Sequence, residues 1–172
     1  MLKITSGIYR GRKITTPGGE THPMGERERI ALFNMIAPYL PGAQVLDAFA
    51  GSGALGIEAL SRGVSEVVFV EKNRKAASII AENLKNLELS DFGIIIVGDI
   101  KNFTTDRTFD VILADPPYNN FRLDEIELLV KLLNKNGVLV LSHPNEALEI
   151  IGLKLINTHK YAAAHLSVYV KR

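Results

Sequence analysis

Four places in the chain carry side chains suited to chemistry. Asp47, Glu71 and Asp99 each sit at or just past the end of an apolar run, and a fourth run, Val111-Ile112-Leu113-Ala114, leads into Asp115-Pro116-Pro117-Tyr118. Two consecutive prolines remove N–H donors, and the residue before a proline is pushed into extended backbone. Acceptors therefore dominate that corner. The Asp115 carboxylate and the Pro116 carbonyl can both accept from an exocyclic NH₂ group, while Tyr118 can stack on a planar ring. An aryl amine attacks a methyl group poorly because its lone pair is delocalised. Hydrogen bonds to its two protons aim it and stabilise the positive nitrogen that forms. Neither a metal nor a covalent intermediate is required.

Gly51-Ser52-Gly53-Ala54-Leu55-Gly56 matches G-x-G-x-x-G, and Glu71 follows 20 residues beyond Gly51, a pattern that suits a dinucleotide. Asp47 argues otherwise. It stands where the pyrophosphate would lie, and two anions at about 4 Å repel by several kcal/mol at intermediate dielectric. A ligand with positive charge and no phosphate is favoured, and S-adenosylmethionine has both properties. Glu71 would then accept from ribose hydroxyls and Asp99 would meet the adenine amine, with Phe49 and Ile100 counted into the same site.

The elements that must hold these residues alternate. Short strands are expected at Ile4 to Tyr9 and Arg12 to Thr15, ended by Pro17-Gly18-Gly19, then a helix from about Gly25 to Pro38. There follow strand Gln44 to Phe49, helix Ala54 to Arg62, strand Glu66 to Glu71, helix Arg74 to Leu87, strand Gly93 to Val97, strand Phe109 to Ala114, helix Leu123 to Leu133 and strand Gly137 to Ser142. Strands apolar on both faces belong to a sheet covered on both sides, so a doubly wound, mostly parallel α/β sheet is expected. Leu153 to Lys160 and Ala164 to Lys171 are too close for a parallel crossover and must form an antiparallel C-terminal hairpin. Ligands of such a sheet bind at the carboxyl ends of its strands.

Composition narrows the field. The 172 residues fit one domain with a short appendage, divided here as 1–24, a small basic N-terminal β-hairpin, and 25–172, the catalytic domain. Cysteine is absent, which removes disulfides, thiolate nucleophiles and cysteine-held metals, and the four histidines have no metal-binding spacing. No membrane span is expected and the cytoplasm is the expected compartment. Net charge is +1, yet residues 1–37 hold six cations against three acids, leaving the remainder at −2. Tyr9, Arg10, Arg12 and Lys13 could track a phosphate backbone, with the tyrosine offering a face to a base.

In order along the chain, Val45-Leu46-Asp47-Ala48-Phe49-Ala50-Gly51-Ser52-Gly53, Phe69-Val70-Glu71 and Asp115-Pro116-Pro117-Tyr118 resemble the class I amino-methyltransferases of nucleobases. Tyr9-Arg10-Gly11-Arg12-Lys13, Glu28 to Asn34 and Gly53 to Gly63 are similar to the bacterial guanine-N2 methyltransferases of small-subunit ribosomal RNA. That resemblance implies a seven-stranded Rossmann-like methyltransferase sheet, S-adenosylmethionine as cofactor, ribosomal RNA as partner, no metal and a monomer. It assigns catalysis to Asp115, Pro116, Pro117 and Tyr118. One departure is His22-Pro23-Met24, where the family usually carries Arg-Pro-Thr. A DNA amino-methyltransferase shares both motifs and a protein glutamine methyltransferase also uses an acceptor-Pro-Pro-Tyr corner, while a nucleotide-binding module without activity or an NAD-dependent oxidoreductase are the alternatives from other classes.

Overall fold

The computed structural model describes residues 1–18, 24–145, 148–161 and 164–172. His22 and Pro23 lie outside the described residues. The main sheet has seven strands: β3 (Gln44–Asp47), β4 (Glu66–Glu71), β5 (Gly93–Val97), β6 (Phe109–Ala114), β7 (Leu133–His143), β8 (Leu153–Tyr161) and β9 (Ala164–Lys171). Their order is β5-β4-β3-β6-β7-β9-β8, with β9 antiparallel to both β7 and β8 and the other pairs parallel. The chain winds outward from β3 to β5, returns to β6 beside β3, and winds the other way. That reversal opens a crevice at the carboxyl ends of β3 and β6.

Alternation within each strand explains the two-layer cover. In β4, Val67 and Phe69 face the core shared with α1 (Glu26–Ile36), α2 (Ala54–Ser61) and α3 (Arg74–Asn86), where Phe33, Ile57 and Ile80 are fully enclosed. Val68 and Val70 face the opposite core, closed by Ile126 and Leu129 of α4 (Leu123–Leu132) and by Phe109 and Tyr169. Each such side chain contributes about 1.5 to 3 kcal/mol on burial, so a one-residue slip in register would invert both cores at once. Gly56 lets α2 lie close on β4, since a Cβ there would stand 2.2 Å from Cε1 of Phe69. The outer strand β8 is exposed from Lys154 to Lys160, and its polar residues protect an open edge.

The sequence places every helix and every strand of the main sheet within a few residues. The N-terminal hairpin is the correction. Its strands shrink to β1 (Leu2–Lys3) and β2 (Lys13–Ile14), and Ile4 to Tyr9 is not a strand. The cause is capture by α2. Glu58, fully buried, accepts from the Thr5 and Ser6 amides at 2.8 and 3.0 Å and from the Thr5 hydroxyl at 2.6 Å, while Ser61 accepts from the Tyr9 amide and donates to the Ser6 carbonyl. Backbone donors bound to side chains are lost to a ladder. β7 also begins earlier than expected, at Leu133 rather than Gly137, and shifts register against β6 between Phe109 and Val111.

Candidate active site at the switch point

A cavity of about 950 Å³ opens at the carboxyl ends of β3, β4, β5 and β6. Its walls bring together Phe49 and Gly51 from the loop after β3, Glu71 from β4, Asp99 and Ile100 after β5, and the whole corner Asp115, Pro116, Pro117 and Tyr118 after β6. Two expected residues lie behind the wall instead. Asp47 is 1% exposed and its Oδ2 accepts the Gly56 amide at 2.9 Å, while Gly53 caps α2 in left-handed backbone, φ +78°, packed against Ile80 and Ile57. Asp47 was expected to face the ligand; the structure has it holding the helix that follows the loop.

Glu71 and Gly51 shape the rim. Glu71 Oε2 accepts the Gly51 amide at 2.8 Å and Oε1 accepts the Asn73 amide at 2.7 Å, so the carboxylate fixes the glycine loop and keeps lone pairs for a ligand. Gly51 itself has φ +55° with open space around its α-carbon, so the backbone is free to approach a bound molecule. Asp99 Oδ1 accepts the Lys101 amide at 3.1 Å, and its other oxygen stands 3.7 Å from Lys101 Nζ.

Three acids converge here. Burial pushes the Asp47 carboxyl up to about 7, helped by Asp115 and Glu71 and opposed by the Gly56 N–H. Burial likewise raises Asp115 to about 6, opposed by a hydrogen bond from Ser142. The Ser142 hydroxyl also bonds the Tyr118 phenol, whose own pKa burial raises. Ser142 went unnoticed in the sequence. The signal available was a polar pair, Ser142-His143, closing the apolar run of β7, which pairs with β6 so that Leu141 lies opposite Ala114, one residue before Asp115.

The histidines are closer than their sequence separation implies. Antiparallel pairing of β7 with β9 sets His143 opposite His165, their rings stacked at 5.9 Å, with His143 Nε2 2.8 Å from Ser167 Oγ. Burial first, and His165 second, lower His143 to about 4, so it is neutral at physiological pH. No cluster of metal ligands exists among the described residues.

The basic turn does not border the cavity. Tyr9 and Ile8 are bonded to Ser61 at the end of α2, and Arg12 Nη2 donates to the Asn86 carbonyl at the end of α3. Both helices begin beside the cavity, so these are their far ends. Tyr9 is partly buried against the core, and Arg10, Arg12 and Lys13 are exposed. The exposed cations that do line the cavity are Lys72, Lys101 and Arg122. Arg29 lines it too, 1% exposed, with Nη2 donating to the Lys3 carbonyl at 2.9 Å.

A family model described as Conserved hypothetical protein 95 matches residues 2–170. YlbH of Bacillus subtilis is 34% identical over 99% of this chain and all of its own length. The Ribosomal RNA small subunit methyltransferase D of Haemophilus influenzae is 35% identical over 79% of this chain and 72% of its own. The solved structure of Escherichia coli yhhF superposes with a TM-score of 0.88 at 27% identity, covering 99% of this chain and 97% of that one.

Proposed function

This chain belongs to the Conserved hypothetical protein 95 family, and on that premise we propose that it methylates the exocyclic N2 amine of a guanine in small-subunit ribosomal RNA, with S-adenosylmethionine as methyl donor. The observation that carries this reading is the convergence, in one cavity, of the acidic strand ends Glu71 and Asp99 with the acceptor corner Asp115 to Tyr118. The residues suit the donor. Glu71 and Asp99 offer acceptors to ribose hydroxyls and an adenine amine, Phe49 and Ile100 add apolar surface, and the three neighbouring acids favour a cation over a phosphate. When bound, S-adenosylmethionine supplies a methyl group on a positively charged sulfur.

The chain's own residues prepare the acceptor. Asp115 and the Pro116 carbonyl take hydrogen bonds from the two protons of the amine, fixing its lone pair toward the donor. As nitrogen becomes positive, the Asp115 carboxylate lowers the energy of that charge. A pKa near 6 leaves it ionised at neutral pH and able to take the proton the amine must lose. Tyr118, 45% exposed and tethered by Ser142, is placed to stack on the flipped base. Asp47 acts one step back, through Gly56.

For RNA, Lys72, Lys101 and Arg122 serve the phosphates beside the target, and Arg10, Arg12 and Lys13 reach further along the strand from the flank of α2 and α3. Residues 1–24 are then the N-terminal appendage and 25–172 the catalytic domain, with residues 5–9 bonded to α2. The test is to incubate total RNA from a strain lacking this enzyme with labelled donor and to analyse nucleosides by mass. N2-methylguanosine is expected; N6-methyladenosine would overturn the base assignment.

A further inference from the structure

We propose that Arg29 is an anion subsite in the cavity wall, holding the carboxylate at the amino-acid end of S-adenosylmethionine; this rests on the donor proposed above. The starting point is an imbalance. Arg29 is 1% exposed, only Nη2 has an acceptor, and Nε and Nη1 are buried without one. A guanidinium does not shed its proton at accessible pH, so the fold cannot relieve this by neutralising the side chain. Buried charged donors left unpaired are costly and call for a partner.

The neighbouring acids do not supply it. Glu58 is the first, but its oxygens already accept from the Thr5 amide and hydroxyl, the Ser6 amide and Arg62 Nε. Glu26 is exposed on the first turn of α1. Arg29 is part of the cavity wall, together with Ser52, Ala54 and Leu55 at the start of α2. That helix end adds partial positive charge to the same wall.

The cavity wall thus carries a buried cation, Arg29, together with the acceptors Glu71 and Asp99 at the ends of β4 and β5. S-adenosylmethionine has a single anion, the carboxylate beside the ammonium of its amino-acid end, and that is the group Arg29 can pair; its ribose and adenine donors suit Glu71 and Asp99. An RNA phosphate is the other anion at hand, but a side chain 1% exposed is reached only by a group that enters the cavity.

Calorimetric titration of the wild type, Arg29→Met and Arg29→Lys with two probes tests this. S-adenosylhomocysteine keeps the carboxylate; 5′-methylthioadenosine lacks the amino-acid end altogether. Arg29→Met should weaken S-adenosylhomocysteine binding at least tenfold and leave 5′-methylthioadenosine within twofold, with Arg29→Lys between. If Arg29→Met does not fold, Arg29→Lys decides, and it must lose more for the first probe than for the second. Equal losses for both probes would overturn the subsite in favour of a purely structural arginine. Unchanged S-adenosylhomocysteine binding with weakened RNA binding would reassign Arg29 to a phosphate. A wild type that binds neither probe would sink the donor assignment itself, an outcome distinct from the other two.

Discussion

The phenol of Tyr118 is hydrogen-bonded to the hydroxyl of Ser142, so the Asp115 to Tyr118 corner after β6 is braced by the end of β7. Ser142 also reaches Asp115 and lowers its pKa against the rise that burial causes. Ser142→Ala should therefore move the acid limb of the rate profile to higher pH. In the wild type the limb should lie near pH 6, with activity rising as Asp115 ionises and level above about 7. A pH profile of single-turnover rates checks both, and an unmoved limb in the variant would show that the serine does not tune Asp115.

Asp115→Ala should cut turnover on the order of a hundredfold or more, because loss of a placed acceptor in a preorganised site costs a few kcal/mol of transition-state stabilisation. Binding of S-adenosylhomocysteine should hardly change. Glu71→Ala should behave the other way, since its partners are present equally before and during transfer. Affinity should fall, and saturating donor should restore most of the rate. Single-turnover kinetics at rising donor concentration separates the two; a Glu71 variant that saturation does not rescue has lost more than binding.

Asp47 gives a stability test that needs no substrate. Its carboxyl titrates near 4 in the unfolded chain and at about 7 in the folded one. Below pH 4 it is neutral in both states. Between 4 and 7 the unfolded chain ionises first, so stability falls as pH rises, and above 7 that loss is complete. Asp47→Asn should remove its share of this decline and gain on the wild type from pH 5 to pH 8. Unfolding midpoints across that range decide it; parallel curves would mean that Asp47 is ionised in the fold at all these pH values.

The RNA path separates two sets of cations. Changing Lys72, Lys101 and Arg122 to Ala should reduce the salt dependence of RNA binding by up to about 2 to 3 units of slope, at about 0.7 to 0.9 per phosphate. The same change at Arg10, Arg12 and Lys13 should have the smaller effect, because that turn lies at the far ends of α2 and α3. Filter-binding titrations in a salt series provide the comparison, and the reverse ranking would return the turn to the mouth of the site.

Gly56→Ala should destabilise the fold by about 1 to 3 kcal/mol, since the added methyl would meet Phe69 and Val67, both enclosed in the core. Denaturant unfolding measures it. A neutral result would mean that α2 lifts off β4 freely.

The centre of the sheet was legible because β3 to β6 are apolar runs that lead into carboxylates, Asp47, Glu71, Asp99 and Asp115. Val67-Val68-Phe69-Val70 followed by Glu71 states both a buried strand and a rim acceptor in five letters. The Asp115 corner was legible because two prolines allow few conformations. What escaped depended on contacts made far along the chain. Glu58 looks like an ordinary helix residue, yet it takes the Thr5 and Ser6 amides, 53 and 52 residues away, out of a strand. Asp47 was placed correctly at a strand end, but its direction followed from Gly56, nine residues on, whose amide draws it inward. Ser142 and Asp115 meet only through the register of β6 with β7, which no local pattern encodes.

Asn83 of α3 is 2% exposed and takes the Thr15 amide at 2.8 Å, while its own amide donates to the Thr15 carbonyl at 2.9 Å and the Ser52 carbonyl at 3.1 Å. One side chain thus clasps the N-terminal strap and the glycine loop together. Thr16 and Pro17, the next two residues of the strap, already form part of the cavity wall. The strap and an occupant of the cavity are in this sense two guests of one joint, and thermodynamic reciprocity applies to them. Whatever steadies Ser52 also steadies Thr15. The free energy that holds the first 17 residues in place is then a gauge of cavity occupancy, readable as slower amide exchange at Thr15 when the cavity is filled.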